Sequence, residues 1–369
     1  MSSTEWFTIQ NVHTLDTPAL VVYPQRVLEN IRILKSFVQD TSRIRPHVKT
    51  NKSPEVAAML LQAGITKFKC ATIAEAEMLA SAGAPDILLA YQPVGPKARR
   101  FVSLTKKYPR LSFACLLDNV DAARFLSDIA TENKITVSVF IDLNVGMNRT
   151  GILPENALDL YKTISALPGL KFAGVHAYDG HLRDVDFKVR TQKCDQAFEP
   201  VEALCLKIKE FQKDVAVIAG GTPTFPIHAK RREVECSPGT FIYWDKGYQS
   251  ILHEQPFVFA AVVVTRVVSK PTDSIVCVDL GHKSIASENP LPNRVHLLNA
   301  PDLQPIGHSE EHLVLQSDKA NTYKVGDVFY GVPYHICPTV ALHDRVAVAE
   351  GGSISTYWNT LSRNRIITV

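Results

Sequence analysis

From Arg45 to Asp245 the chain alternates short runs of β-branched and aliphatic residues with stretches whose apolar positions recur every three or four residues. That rhythm predicts parallel strands joined by crossover helices. Eight runs have the strand texture: Ile44–Lys49, Lys67–Thr72, Ile87–Ala90, Leu111–Asp118, Val137–Asn144, Phe172–Asp179, Val215–Gly220 and Val234–Tyr243. Their composition suits burial on both faces. Between them Pro54–Ala63, Ile73–Ala82, Lys97–Lys107, Val120–Thr131 and Glu155–Ala166 carry apolar stripes of helical period that would pack on a sheet. Eight parallel strands predict an α/β fold closed into a (β/α)8 TIM-type barrel over residues 20–248. A strand at Pro18–Val22 and a helix at Pro24–Gln39 lead into it.

Past Gln249 the period shortens and turn residues become frequent. Strands are predicted at Phe257–Ser269, Ser274–Asp279, Val295–Asn299, Leu313–Gln316, Asp327–Gly331, Arg345–Ala349 and Arg365–Val369, with almost no helical periodicity between them. This reads as an all-β C-terminal domain over 249–369, which residues 1–19 can join.

Length and charge narrow the function. At 369 residues the chain is long enough for about two domains of roughly 150 residues. Forty Lys+Arg against thirty-seven Asp+Glu leave a net charge of +3 without a block of like charge, so neither nucleic acid nor an anionic membrane is the expected partner. A small-molecule substrate is. The longest apolar run, Phe257–Val264, falls far below the roughly 18 residues of a membrane span, and the first residues lack a signal peptide's basic start, so a cytoplasmic enzyme is expected. The seven cysteines are odd in number and form no CxxC pair, which points to reduced thiols.

The polar residues that interrupt this pattern gather at the C-terminal ends of the predicted strands, where barrels keep their active sites. Lys49 ends the apolar run Arg45-Pro46-His47-Val48-Lys49. Desolvation and neighbouring cations lower the pKa of a lysine so placed and make its amine a nucleophile, although a solvated strand-end lysine would read the same way. Gly220-Gly221-Thr222-Pro223-Thr224 and Ser237-Pro238-Gly239-Thr240 offer backbone N–H groups and hydroxyls to an anion after the seventh and eighth strands, a recurrent place for a barrel phosphate site. Either string alone is an ordinary turn. Arg149, in Gly146-Met147-Asn148-Arg149-Thr150-Gly151, brings a guanidinium that can hold an anionic or phenolic oxygen.

Together these strings, with Gly174-Val175-His176-Ala177-Tyr178-Asp179-Gly180-His181, resemble the fold-type-III pyridoxal-phosphate enzymes typified by alanine racemase. Pro333-Tyr334-His335-Ile336-Cys337-Pro338-Thr339-Val340-Ala341-Leu342-His343-Asp344 resembles their metal-dependent branch, the D-threonine aldolases and eukaryotic-type D-serine dehydratases. The resemblance implies that Lys49 carries pyridoxal 5'-phosphate covalently, that Arg149 touches its phenolic oxygen, and that Tyr178 lies against or near the ring. It implies Gly221, Thr222, Gly239 and Thr240 as the phosphate site, and a homodimer. His335 and Cys337 stand two apart, on one side of an extended segment, and imidazole with thiolate suits a divalent metal such as Zn, Mn or Mg. As a bare spacing the pair would be chance; the resemblance makes it a metal site. His312, in Ser309-Glu310-Glu311-His312, is a candidate base or an outer partner, with a charged surface loop as the alternative. His176 reads as a packed core histidine, Lys52 as a solvated or phosphate-steering charge, and His282 and Lys283 carry no assignable role.

The implied chemistry is cleavage of a D-β-hydroxy amino acid. The Y-D-G-H string and the P-T-V-x-L-x-D tail resemble the aldolases, which give glycine and an aldehyde. Cys337 resembles the dehydratases, which give a 2-oxo acid and ammonia. Asn51 departs from the histidine that many relatives carry. The aldolase reading leads, the dehydratase is the alternative, and a racemase or a non-catalytic cofactor-binding protein ranks below both.

Overall fold

The computed structural model describes residues 5–369; of the residues 1–19 that can join the β domain, the first four lie outside the described residues. By packing, the chain divides into two compact units. A β unit takes the described part of Met1–Ile33 with Thr50–Ser53 and Thr240–Leu361, and an α/β unit takes Leu34–Lys49, Pro54–Gly239 and Ser362–Val369. The texture of the sequence suggests one break near 248; the chain instead changes unit several times. Two of these crossings, Lys49 to Thr50 and Gly239 to Thr240, fall inside strings singled out for their chemistry. The first strand, β1 (Ala19–Val22), runs into α1 (Pro24–Val38), within which the first crossing lies.

The α/β unit is built on β2 (Lys67–Cys70), β3 (Asp86–Leu89), β4 (Ser112–Leu117), β5 (Val137–Leu143), β6 (Leu170–Ala177), β7 (Ala216–Ala219) and β8 (Val234–Cys236), one parallel sheet in sequential order. Its helices are α2 (Pro54–Gln62), α3 (Ile73–Ser81), α4 (Pro96–Lys107), α5 (Val120–Glu132), α6 (Ala157–Ala166), α7 (Phe187–Lys209) and the short α8 (Phe225–His228). Local chemistry fixes their ends. Asn119 caps α5 by accepting from the N–H of Asp121 and Ala122, and Asp186 caps α7 by accepting from Lys188 and Val189. The long α7 is absent from the helices expected, although its buried face, Cys194, Phe198, Val201, Leu204 and Ile208, keeps the helical spacing past Pro200, a residue type that usually ends a helix.

Among the described residues the parallel sheet has seven strands, not eight. Ile44–Lys49, expected as the first, makes only isolated bridges, Ile44 with Cys236 and His47 with Lys69. Pro46 is the reason: it brings no N–H to a ladder, and the chain turns into a 3-10 turn at Val48–Thr50. Buried Arg45 stands in this segment, 2.6 Å from Asp86 at the start of β3 and 2.7 Å from Glu235 in β8. On the inner face Leu88, Ala114, Leu116, Phe140 and Ile218 form one apolar cluster.

The β unit holds a nine-stranded sheet. To β1 it adds β9 (Ala261–Thr272), β10 (Ile275–Val278), β11 (Val295–Leu297), β12 (Gln304–His308), β13 (Leu313–Gln316), β14 (Val328–Pro333), β15 (Arg345–Glu350) and β16 (Ser353–Asn359). The path runs β12-β13-β10-β9-β1-β15-β16, with β14 on β9 and β11 on β14, and only β1 with β15 is parallel. Two short helices, α9 (Lys246–Gln249) and α10 (Ile336–Leu342), complete it. Alternation buries Val21, Val262, Val264, Val332 and Ala347 with Phe7, Ile9 and Tyr330. Residues 365–369 form no strand and instead tie the C-terminus to the α/β unit, where Arg100 donates to the Val369 carbonyl (3.0 Å) and Glu77 accepts from the Thr368 N–H (3.0 Å). Among the described residues no helix is long and apolar enough to cross a membrane.

Candidate active site

In the α/β unit, Lys49 is half-buried at the end of the segment that carries Arg45. Tyr178 follows β6 directly, and its ring lies across two glycine backbones. A Cβ on Gly221 would stand 2.7 Å from Tyr178 Cε2, and one on Gly180 would stand 2.2 Å from its hydroxyl, so neither position accepts a side chain while the ring stays there. The Arg149 guanidinium carbon is 5.1 Å from the Tyr178 ring centroid and the Lys69 amine 5.5 Å. Thr222, buried in the loop after β7, accepts from the Gly239 N–H at 3.3 Å and so joins the two anion-type loops. Arg149, Tyr178 and Gly221 are thus neighbours, as are Thr222 and Gly239. Thr240, next in the chain, belongs to the β unit.

Three buried polar residues escape the sequence reading as a set: Lys69, Asp142 and His176. Each is the penultimate residue of its strand, β2, β5 and β6. Lys69 pairs in register with Leu88, Asp142 with His176, and His176 with Ile218. Register partners in parallel strands share a face, so all three project on the side of the apolar cluster. Lys69 donates to Ser237 Oγ 2.5 Å away. Burial first, and the charge of Lys49 second, push its amine down to about 7 against the pull of Asp142 and Asp179. Asp142 accepts from Thr150 Oγ1 (2.9 Å) and, on its other oxygen, from His176 Nδ1 (2.7 Å). Burial keeps His176 below the ordinary imidazole value although Asp142 works the other way. The available signal was a charge inside an apolar strand at the inward parity, as in Lys67-Phe68-Lys69-Cys70.

A second cluster lies one step further along. Asp179, Cys194 and His228 are buried, with one potential ligand atom from each lying within 4.8 Å of the others. Hydrogen bonds account for all of them. Arg231 Nη1 meets His228 Nδ1 at 3.1 Å, which makes that nitrogen the acceptor and His228 Nε2 the donor to Asp179 (2.8 Å). A cation on Nε2 would turn an imidazole N–H toward the guanidinium, and burial holds the Cys194 thiol far above its usual value. The residue types could hold an ion; the bonding fits a network that ties the end of β6 to α8.

In the β unit, His335 is not on an extended strand as the two-residue spacing suggested. It stands at the start of α10 and Cys337 is that helix's second residue. They still meet: although burial opposes it, hydrogen bonding to Cys337, the contact with Glu288 and the charge of Asp245 keep His335 protonated up to about 9. Cys337 Sγ lies 3.1 Å from Thr50 Oγ1 and 3.7 Å from Thr240 Oγ1. Asn51 is buried and accepts from the Ser53 N–H at 3.2 Å, which commits it to the local turn. His312 is exposed between β12 and β13, Lys283 pairs with Glu310 and Glu311 on the same surface, and His282 stacks edge-on against His308.

These donors suit the groups the sequence implies. An amine, a guanidinium, an aromatic ring over glycine backbone and two joined anion-type loops match a phosphorylated pyridine aldehyde. Imidazole, sulfur and the nearby carboxylate of Glu288 match a borderline divalent ion with open positions.

The chain is similar to known proteins along nearly its whole length. Residues 22–246 match the alanine racemase N-terminal domain, and residues 260–349 a putative serine dehydratase domain. The chain is 26% identical over 359 residues to D-threonine aldolase of an Arthrobacter species, covering 95% of this chain and 93% of that protein. It is 27% identical over 367 residues to 3-hydroxy-D-aspartate aldolase of Paracoccus denitrificans, with the same two coverages of 95% and 93%. D-threo-3-hydroxyaspartate dehydratase of a Delftia species is 26% identical over 382 residues, covering 93% of this chain and 97% of that one. The crystal structure of D-threonine aldolase from Filomicrobium marinum superposes with a TM-score of 0.86 at 25% identity, covering 95% and 96% of the two chains.

Proposed function

We propose, from the premise that this chain belongs to the alanine racemase N-terminal domain family, that it is a pyridoxal-phosphate- and divalent-metal-dependent lyase that cleaves D-β-hydroxy amino acids to glycine and an aldehyde. Full-length similarity to two aldolases carries the reading, and the Lys49, Arg149, Tyr178 and Thr222 set supports it. Pyridoxal phosphate, when bound, supplies an electron sink for the pair left at the substrate's Cα, and a divalent ion supplies Lewis acidity at the β-oxygen.

The chain's own residues do the rest in this reading. Lys49 holds the cofactor through its amine, Arg149 donates to the phenolic oxygen, and Tyr178 fixes the ring plane from the glycine platform. The loops of Gly221, Thr222 and Gly239, with Thr240 next in sequence, bind the phosphate through N–H and hydroxyl donors. His335 and Cys337 hold the metal with Glu288 behind the imidazole, and His312 is an outer candidate for proton transfer. Homodimer assembly and a cytoplasmic site of action belong to the same reading.

The test is product analysis with D-threonine, with and without a chelator. Glycine and acetaldehyde, lost on chelation, are expected. The dehydratase alternative is favoured by Cys337 and by the dehydratase relative, and would give 2-oxobutanoate and ammonia instead. Lys49→Ala should lose both turnover and the cofactor's visible absorption band; retention of the band would remove Lys49 from the reading.

A further inference from the structure

His176 is 4% exposed, and among the described residues nothing hydrogen-bonds to its Nε2. Its other nitrogen is fixed, since Nδ1 lies 2.7 Å from Asp142 Oδ1 and a carboxylate only accepts. The proton therefore sits on Nδ1 and an in-plane lone pair remains on Nε2. A buried polar atom left unpaired is costly, so it points to a group that arrives later. The groups acting on this imidazole come from three elements: Asp142 on β5, Lys69 on β2 and Arg149 in the loop after β5. Two of them, Lys69 and Arg149, also face the Tyr178 ring, which places His176 among the residues assigned to the cofactor. Tyr178 itself lies two residues on.

We propose that His176, locked in one tautomer by Asp142, is the proton acceptor of the reaction in the α/β unit. This rests on the aldolase reading and names the group that the reading leaves open, because His312 is exposed in the β unit. The substrate's β-hydroxyl O–H breaks and its proton goes to Nε2. The oxygen pair becomes the new carbonyl bond as Cα–Cβ breaks, and the Cα–Cβ pair passes to Cα, where a solvent proton completes glycine. Imidazole oriented by a buried carboxylate is an effective base of this type, worth about 10²–10⁴-fold in rate. Lys69, whose amine donates to Ser237, is the rival acceptor nearby.

The experiment compares wild type with His176→Asn, Asp142→Asn and Lys69→Gln as holoenzymes. Cofactor occupancy is read from the visible band and turnover from kcat/KM against pH. His176→Asn should keep the cofactor, lose about 10²–10⁴-fold in kcat/KM and lose the acidic limb of the profile. Asp142→Asn should weaken turnover and move that limb to lower pH, since the charge that favours imidazolium is gone. Independently of turnover, ¹⁵N-histidine spectra of the cofactor-free protein should show an Nδ1–H tautomer that vanishes in His176→Asn. The proposal is overturned if His176→Asn keeps its rate and its limb, if the limb disappears in Lys69→Gln instead, or if activity loss merely tracks loss of cofactor. Wild type that binds no cofactor would take down the functional reading together with this one; an unaffected His176→Asn in an active aldolase would remove only the proton acceptor.

Discussion

At the end of β6, Asp142 holds Nδ1 of His176 at 2.7 Å, and three residues on Asp179 holds Nε2 of His228 at 2.8 Å. Both pairs are buried, and residue type and spacing would class them together. Their remaining bonds separate them. His228 receives Arg231 on its other nitrogen, Cys194 Sγ lies 3.3 Å from the first, and Thr224 Oγ1 takes the second oxygen of Asp179 at 2.6 Å. Every polar atom is satisfied, so this pair holds structure. His176 keeps one lone pair unused, which a purely structural histidine has no reason to do. Completeness of bonding distinguishes the two, and it can be broken experimentally.

The largest effect should come from removing the satisfied pair. Asp179→Ala strands two donors, Thr224 and His228, and should cost about 2–6 kcal/mol in denaturant unfolding at roughly 1–3 kcal/mol per stranded group. His176→Asn keeps an amide donor for Asp142 and should cost within about 1 kcal/mol. Equal costs would erase the contrast. The pairs also titrate in different windows. Despite burial, His228 and Thr224 hold the Asp179 carboxyl below its ordinary value. Its stabilisation is complete above the unfolded value of about 3.9 and is lost as the pH falls through the depressed folded value. His176 is lowered too, chiefly by burial. Its neutral form is favoured by folding, so stability is full above about 6.5 and declines as the pH falls from there toward the folded value. Unfolding curves against pH should lose the upper step in His176→Asn and the lower one in Asp179→Asn.

Next comes the choice of metal centre. If bonding completeness is the right criterion, the three-residue cluster in the α/β unit takes no ion, whereas His335 and Cys337 in the β unit do. His335→Ala or Cys337→Ala should weaken divalent-metal binding by more than about tenfold, roughly 1.4 kcal/mol or more, in calorimetric titration. Cys194→Ala should leave it unchanged. The reverse pattern would move the metal into the α/β unit and overturn the tautomer argument drawn from Arg231.

Much of the fold and part of the candidate site are legible in the sequence alone. Strands 67–70 through 234–236 and helices α2 to α6 follow the two hydrophobic periods closely, because burial on both faces leaves parallel strands little choice of composition. Lys49, Arg149, Tyr178 and the two glycine–threonine loops stand out because the C-terminal ends of barrel strands are where polar side chains and open backbone converge on a ligand. The rest depends on contacts between distant residues. Pro46 converts the expected first strand into two isolated bridges, and nothing local announces that Arg45 pairs with Glu235. His335 and Cys337 meet at a helix start rather than on a strand, a difference their spacing cannot encode. His176 reads as a core histidine because its orphan nitrogen is a property of its neighbours, not of the segment Val175-His176-Ala177.

The smallest expected effect is the finest probe of the satisfied pair. The Cys194 thiol donates to Asp179 Oδ2 at 3.5 Å, and its Sγ lies 3.3 Å from His228 Nε2; a thiol is a weak donor. If its thiol is only a neighbour, Cys194→Ser should change stability by less than about 1 kcal/mol, because the hydroxyl can donate to the same carboxylate in nearly the same volume. If the sulfur were a metal ligand or a reactive thiolate, the serine variant would lose the ion or the reactivity outright, and thiol-specific labelling of the native wild type would be fast. Burial raises this thiol well above the ordinary cysteine value, so labelling should proceed only as fast as the unit opens. It should accelerate in Asp179→Ala, by about tenfold for each roughly 1.4 kcal/mol of stability lost there. Labelling that ignores that substitution would show that Cys194 reports on something other than the Asp179–His228 network.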